Sequence, residues 1–429
     1  MHDSEAILNE SRIFLKRKIN KLVKHHTFRN ISYLTLGNVL SQIIALIGAF
    51  YIPKLLGPRG YGVYNIVITY VSFFTVFTLS GLTKVIIRQA AKDVSKTKEI
   101  LEDTIGLRNL FSVFATALCL VVVFFLDYER GTKVYILIYS TSLLFRGAFS
   151  SIDAIFLAHQ KMKILGTIAV LKQLIKVPLS IVLLYLGYGV LSLIIAHLFI
   201  EIISLFYIYV SSKKLIVFNV FSKVKVLKDY VLSGIRFSLL EFLNILSGRI
   251  DLIMLSFLTT PENVGIYALA YRLVEKGFII RTPISQSLFP YYSNKFNNKK
   301  PNVRNLIIHT ALILIPMIFF LLPAIILIEP VIAKVIGNEF VESAGIFKIL
   351  VLYFILNFSV IPWGLYLQVT DKEKIVLKLT FFKSILNIGG NIVLFYYFGL
   401  LGIAYSTLIS VFFVATMQIV ISYFYIQRC

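Results

Sequence analysis

Twelve times between residues 30 and 426 the chain runs through 20 or more residues dominated by Leu, Ile, Val, Phe and Tyr, with only short polar links between the runs. About 20 apolar residues in helical form cross about 30 Å of hydrocarbon. Backbone groups in lipid must be satisfied within their own segment, so such runs fold as helices. Composition points the same way. The chain is 58% hydrophobic and 15% charged, against about 25% charged residues in soluble domains. Too little polar surface remains to cover a water-soluble fold. The expectation is an all-α membrane protein with about 12 transmembrane helices. Their approximate limits are 30–55, 62–89, 105–126, 134–157, 164–186, 190–211, 231–258, 264–289, 305–328, 343–369, 375–398 and 401–426. The first run reads as a retained helix, because its basic leader is too long for a cleaved signal and no small-residue cleavage site follows.

The net charge of +22 raises the possibility of nucleic-acid binding, but its distribution argues otherwise. Counting the leader and every second link gives 26 basic residues, and the remaining links give 5. By the positive-inside rule this alternation places both termini in the cytoplasm of a cell-membrane protein. Leader residues 1–29 carry Leu15, Ile19 and Leu22 at helical spacing among lysines and arginines. They read either as an amphipathic helix on the cytoplasmic leaflet or as a solvated basic tail.

Few other chemistries fit. The two cysteines, Cys119 and Cys429, offer neither a disulfide framework nor a metal spacing. No phosphate-binding P-loop is present. The expectations are therefore no cofactor, no metal, no catalytic residues, no nucleic acid and no ATP hydrolysis.

The stretch "LLGPRGYGVYNIV" from Leu55 to Val67 is echoed by "LTTPENVGIYALA" from Leu258 to Ala270. Pro58, Gly62 and Tyr64 match Pro261, Gly265 and Tyr267 at a single offset of 203. The turn "LYLGYGVLSLI" at 184–194 pairs with "YYFGLLGIAYS" at 396–406 in the same way. The chain thus reads as two parallel six-helix lobes, 30–212 and 231–429, joined by a basic cytoplasmic linker at 213–230. The Pro58 turn and its Pro261 copy join helices 1 and 2 of their lobes, and the second pair, at an offset of 212, joins helices 5 and 6.

The first of these stretches resembles the signature that follows helix 1 in polysaccharide-type flippases. "SGLTKVIIRQAA" (80–91) resembles the end of their helix 2, and "LFPYYS" (288–293) the end of their helix 8. The chain is thereby similar to the multidrug/oligosaccharidyl-lipid/polysaccharide (MOP) exporter superfamily, in its Wzx-like oligosaccharide-lipid branch. The resemblance implies a V-shaped bundle working by alternating access. It also implies a lipid-linked oligosaccharide as substrate, moved from the inner to the outer leaflet. Polysaccharide polymerases or glycosyltransferases would be possible partners of a monomeric transporter in membrane lipid.

Charges within the spans point to a polar interior, since each central charge costs at least about 2.5–3.5 kcal/mol to insert. Ser142, Arg146, Ser150 and Asp153 lie on one stripe of span 4, and Lys172, Lys176 and Ser180 on one of span 5. Span 6 has His197, Glu201 and Ser204; span 7 has Glu241, Asn244, Gly248 and Asp251, with Arg249 beside them. Arg272, Glu275, Lys276 and Arg281 follow in span 8, and Lys383, Asn387 and Asn391 in span 11. Such spacing gathers each set on one side of its helix. The candidate headgroup cations are Arg146, Lys172, Lys176, Arg249, Arg272, Lys276 and Lys383. Asp153, Glu201 and Glu241 are candidate sites for H⁺ or Na⁺ coupling. Blander readings stand beside these. Lys84, Arg88 and Lys348 read as snorkelling at span ends, Arg281 as facing either the chamber or the interface, and Arg272, Glu275 and Lys276 as a self-neutralised cluster. His197 with Glu201 reads as an interhelical hydrogen bond or a proton site, and the asparagines as helix–helix contacts.

An excess of cations suits a phosphate headgroup, because arginine forks bind phosphate oxygens bidentately. It suits a MATE-like drug/cation antiporter poorly. A lipid-II-type flippase is a further alternative, although the two extra helices of that group are not found here. A membrane polymerase or glycosyltransferase would need a larger extracytoplasmic loop.

Overall fold

The computed structural model describes residues 2–213, 215–218, 228–298 and 302–428, with side chains from residue 32 onward except those of 294–298 and 428. Among the described residues there are helices and no strands. Eight helical stretches are long and apolar enough to cross a membrane. Two of them double back. His2–Phe74 breaks at Gly57 (φ 66), and Glu373–Arg428 breaks at Gly399 (φ 56). Positive φ is cheap only without a Cβ, which is why glycines make both turns. Two further helical stretches, Lys228–Leu258 and Pro261–Gly277 continued by Arg281–Asn298, are long enough but too polar to pass on composition. They carry Glu241, Arg249, Asp251, Arg272, Glu275, Lys276 and Arg281. The result is twelve passes, numbered here as spans 1 to 12. The protein is an all-helical, multi-pass membrane protein.

Exposure on the outer surface fits lipid. In Val303–Val331 the side chains of Phe319, Phe320 and Ile326 are each at least 70% exposed, which water would penalise and hydrocarbon does not. Prolines act locally. Pro283 lies just past a 3₁₀ turn at Phe278–Ile280 that divides span 8. Pro362 lies in the first turn after the break at Val360 in span 10. Each ring opposes the carbonyl four residues back. Pro178, Pro316 and Pro323 sit in uninterrupted helices.

Within the first half, span 1 packs on span 5 and span 3 on span 4; in the second, span 10 packs on spans 9 and 12. The halves meet chiefly through spans 1, 2, 7 and 8. Here the repeated turn has a structural meaning. A Cβ on Gly62 would lie 1.7 Å from the Pro261 carbonyl oxygen, and one on Gly265 2.0 Å from that of Pro58. The repeat-related positions thus press backbone to backbone, each against the other half's proline. Arg59 reinforces this hairpin end by bridging Glu129 at 2.8 Å and Glu262 at 3.6 Å. Tyr128 adds a 2.8 Å hydrogen bond to Ser256 and stacks on Phe257. At the opposite, basic end, Tyr230 donates to Gln89 (2.6 Å), and the Gly81 amide donates to Ser238 (2.9 Å).

The leader is helical from His2 and continuous with span 1; Leu15, Ile19 and Leu22 lie outside the described side chains. Most of the linker, 214 and 219–227, lies outside the described residues.

Candidate functional site

Three adjoining compartments lie in the helix bundle, one between the halves and one within each half. The middle one, about 650 Å³, is walled by spans 2, 3 and 4 of the first half and spans 7 and 8 of the second. It shares Arg146 and Ser150 with a compartment of about 260 Å³ within the first half. It shares Asn244, Gly248, Tyr271 and Glu275 with one of about 470 Å³ within the second half.

The middle compartment is built around a break in span 2. The helix ends at Phe74, passes through a 3₁₀ turn at Thr75–Thr78 and a left-handed Leu79 (φ 56), and resumes at Leu82–Lys92. The break presents Thr75, Thr78, Ser80, Thr83 and Lys84 to the cavity. Behind them lies Arg108 of span 3, 1% exposed. Its Nη2 donates to Ser150 (2.6 Å), and its Nη1 to Thr83 (3.1 Å) and Ser151 (3.4 Å). Gly147 makes this possible. A Cβ there would fall 2.6 Å from the Ser112 hydroxyl and 2.8 Å from the Arg108 carbonyl, so its absence lets span 4 lie directly on span 3. Four cations, Lys84, Arg108, Arg146 and Arg249, share this compartment with two carboxylates, Glu241 and Glu275.

In the first-half compartment, Arg146 faces Glu201 at 3.9 Å. Lys172 lies 4.0 Å from the centroid of the Phe149 ring, a cation–π contact. Asp153 completes a wall with equal numbers of cations and anions. His197 contacts the Tyr139 hydroxyl at 3.4 Å, an interhelical contact.

In the second half, Glu275 takes Arg272 at 2.9 Å and Arg249 at 3.9 Å, while Arg272 also donates to Asn65 of span 2 at 3.3 Å. Arg281 and Lys383 line the second-half cavity with Asn244, Asn357, Gln368, Gln418, Tyr271 and Tyr353. Asp251 is 6% exposed. It accepts from Tyr267 (2.8 Å), Asn391 (2.9 Å) and Thr407 (2.7 Å), on spans 8, 11 and 12, and among the described residues it has no ion-pair partner.

Of the sequence candidates, Arg146, Lys172, Arg249, Lys383, Asp153, Glu201 and Glu241 line these compartments. Lys176, Arg272 and Lys276 do not. Arg272 is committed to Glu275 and Asn65, and Lys176 sits within electrostatic range of both Lys276 and Arg272. Arg146 pairs with Glu201, not with its stripe neighbour Asp153. Lys84 lines the chamber instead of snorkelling, whereas Lys348 pairs with Glu329 at 3.2 Å. Arg108, counted above among the link charges, is the main residue missed. Its signal was present: Thr104, Arg108, Ser112 and Thr116 form an i, i+4 polar stripe in span 3.

Comparison with known proteins agrees with this architecture. A family model described as polysaccharide biosynthesis protein matches residues 27–296. A probable low-salt glycan biosynthesis flippase, Agl15 of Haloferax volcanii, is 24% identical over 165 residues; the match covers 37% of this chain and only 34% of that protein. The lipid II flippase MurJ in an inward closed conformation superposes with a TM-score of 0.73 at 17% identity, over 91% of this chain and 87% of that one. A MATE family multidrug resistance transporter of the MOP superfamily, inward-facing, gives 0.69 at 14% identity, over 92% and 95%.

Proposed function

Because this chain belongs to the polysaccharide biosynthesis protein family, within the MOP superfamily, we propose that it is a flippase for polyprenyl-(pyro)phosphate-linked oligosaccharide. It works by alternating access, from the cytoplasmic to the outer leaflet of the cell membrane, with both termini cytoplasmic. The observation that carries this reading is the division of the chamber by chemistry. The middle compartment holds an excess of cations, which suits a phosphate group in a low-dielectric site. The second-half compartment also holds Arg281, Lys383 and Glu275, but most of its polar lining is amides, hydroxyls and tyrosine rings, which suit sugar hydroxyls and ring faces. A cationic drug would meet like charge in the middle compartment. Glycan-assembly enzymes are natural suppliers and consumers of such a substrate.

For coupling to H⁺ or Na⁺, Asp251 is a better candidate than Asp153, Glu201 or Glu241. It is buried, and its partners Asn391, Thr407 and Tyr267 form a set with carboxylate, amide and hydroxyl oxygens, the ligand type that hard cations take. Glu201 already faces Arg146.

The experiment uses proteoliposomes loaded with a fluorescent short-chain polyprenyl-pyrophosphate sugar, with dithionite quenching to report leaflet transfer. Wild-type protein is expected to move it under an H⁺ or Na⁺ gradient without ATP. Asp251→Asn is expected to bind the substrate but lose gradient dependence. Absence of transfer under every gradient, with efflux of a cationic dye instead, would replace this reading with the antiporter one.

A further inference from the structure

We infer that Arg281 and Lys383 form a recognition pair for a carboxylate on the glycan, so that the oligosaccharide carried by this chain contains an acidic sugar. The inference rests on the flippase reading and deepens it, by naming the class of sugar and the two residues that select it.

The pair lies in the second-half compartment, apart from the cations of the middle one. Arg281 follows directly on the 3₁₀ turn Phe278–Ile280 of span 8. Glu275, Phe278, Arg281 and Ser285 recur at helical spacing and line one wall. Lys383 comes from span 11, where Val376 and Thr380 line the cavity with it. Lys383 lies within electrostatic range of Arg281. Two helices distant in sequence thus bring like charges to one cavity.

Neither cation is neutralised there. Among the described residues, neither side chain has a hydrogen bond or an ion-pair partner. The one carboxylate among the lining residues, Glu275, is engaged by Arg272 at 2.9 Å and Arg249 at 3.9 Å. Asp251 acts on Lys383 only at longer range, and it is held by Tyr267, Asn391 and Thr407. Both cations are open to the cavity: Arg281 is exposed and Lys383 half-buried. Charges inside spans are costly and usually pair with one another. Two adjacent cations without a carboxylate are the reverse of a structural pair.

The rest of the lining decides what brings the anion. The Asn357 amide donates to the Tyr353 carbonyl (3.0 Å) and the Gln418 amide to the Val360 carbonyl (3.2 Å), which fixes both at the wall of a sugar-compatible surface. The cavity, about 470 Å³, falls within the range of small-molecule sites, about 300–1,000 Å³. A neutral sugar satisfies the amides and leaves both cations without a counter-ion. A sugar carboxylate satisfies both sets, since its two oxygens match one guanidinium fork and the ammonium adds a point charge. The lipid-linked phosphate cannot supply this anion while it occupies the middle compartment.

The test is a specificity ratio, measured by equilibrium binding to the full-length protein in nanodiscs. The probes are two short-chain polyprenyl-pyrophosphate disaccharides that differ only in the outer sugar, glucuronic acid in one and glucose in its twin. Lipid, pyrophosphate and inner sugar are common to both, so the ratio of affinities isolates the carboxylate. Wild-type protein should prefer the acidic probe about 10- to 100-fold, the range for a charge-assisted hydrogen-bond set. Arg281→Gln/Lys383→Gln should bring the ratio to about 1. Arg281→Lys should keep part of the preference, because lysine retains the charge and loses the fork. Lys348→Gln, at a distant surface pair, should keep the wild-type ratio. A wild-type ratio near 1 would overturn the inference. So would a preference that survives the double substitution. Equal weakening of both probes with the ratio kept also overturns it, and assigns the pair to the phosphate end. If the double variant is not monodisperse, Arg281→Gln and Lys383→Met decide singly, and a full wild-type ratio in both overturns the inference. In each of these outcomes the wild-type protein binds lipid-linked probes, so the flippase reading stands. Failure of the wild-type protein to bind either probe would instead remove that reading, and the recognition pair with it.

Discussion

Replacing Gly62 with alanine tests whether the repeated turn closes the hairpin end. The added Cβ would sit 1.7 Å from the Pro261 oxygen, 2.6 Å from its carbonyl carbon and 3.0 Å from the Gly265 nitrogen. A carbon–oxygen contact needs about 3.3–3.6 Å, so the two halves must part there by roughly 1.5 Å. The obstruction is backbone, so no rotamer change relieves it. Overpacking typically costs about 1–3 kcal/mol. Near the upper end, at about 1.4 kcal/mol per factor of ten, this moves the closed–open equilibrium roughly 100-fold toward separation. Gly265→Ala should act alike, because its Cβ meets the Pro58 oxygen at 2.0 Å. The assay is thiol crosslinking between Arg59→Cys and Glu262→Cys with a short bifunctional reagent in membranes. The parent should crosslink efficiently, and the Gly62→Ala version should do so at a small fraction of that yield with near-normal amounts of folded protein. Equal yields in both would refute the reasoning, since the Gly62 and Pro261 backbones could not then lie close enough for an added Cβ to clash in the conformation that predominates in the membrane.

Two other outcomes follow from the geometry. Arg146→Ala is expected to reduce transfer about 10- to 100-fold in the dithionite assay, with Arg146→Lys recovering part. Arg146→Ala/Glu201→Gln should not recover; full recovery would reduce Arg146 to a neutraliser of Glu201. The second concerns pH. Burial, then Lys161, lowers the pKa of His159 below its ordinary 6.5, so the fold favours the neutral ring, which contacts Thr97 at 3.1 Å. That contribution is fully present above pH 6.5 and is lost as pH falls through the lowered value. Protection factors for hydrogen exchange in residues 94–100 and 157–163 should therefore fall as pH drops below 6.5, and His159→Gln should remove that loss. Unchanged pH dependence in the variant would assign the effect elsewhere.

How much of this molecule could be read from its sequence depended on whether a signal was local. The helical spans were legible because hydropathy is local, and the turn stood out because Gly62 and Gly265 repeat at one offset. Even so, the sequence placed that turn as a hairpin and did not reveal that its two copies touch each other, since contact between halves leaves no periodic trace. Stripes at i, i+4 brought Arg146, Lys172 and Lys383 to cavity walls for the same local reason. The misses share a cause: partner choice depends on three-dimensional register. Arg146 faces Glu201 on another helix, not Asp153 on its own. Arg272 is taken up by Glu275, as the self-neutralised reading of that cluster had it, and its second partner, Asn65 in the other half, was not legible. Arg108 was hidden by treating a charge near a span end as a link residue, although its Thr104–Ser112–Thr116 stripe marked a polar face continuing well into the helix. A stripe alone does not rank the charges on it: Ser80, Lys84, Arg88 and Lys92 also repeat at i, i+4, yet Arg88 is exposed while Arg108 is buried. What differs is the packing of neighbouring helices over the stripe, span 4 lying directly on span 3 at Gly147, and that has no local trace in the sequence.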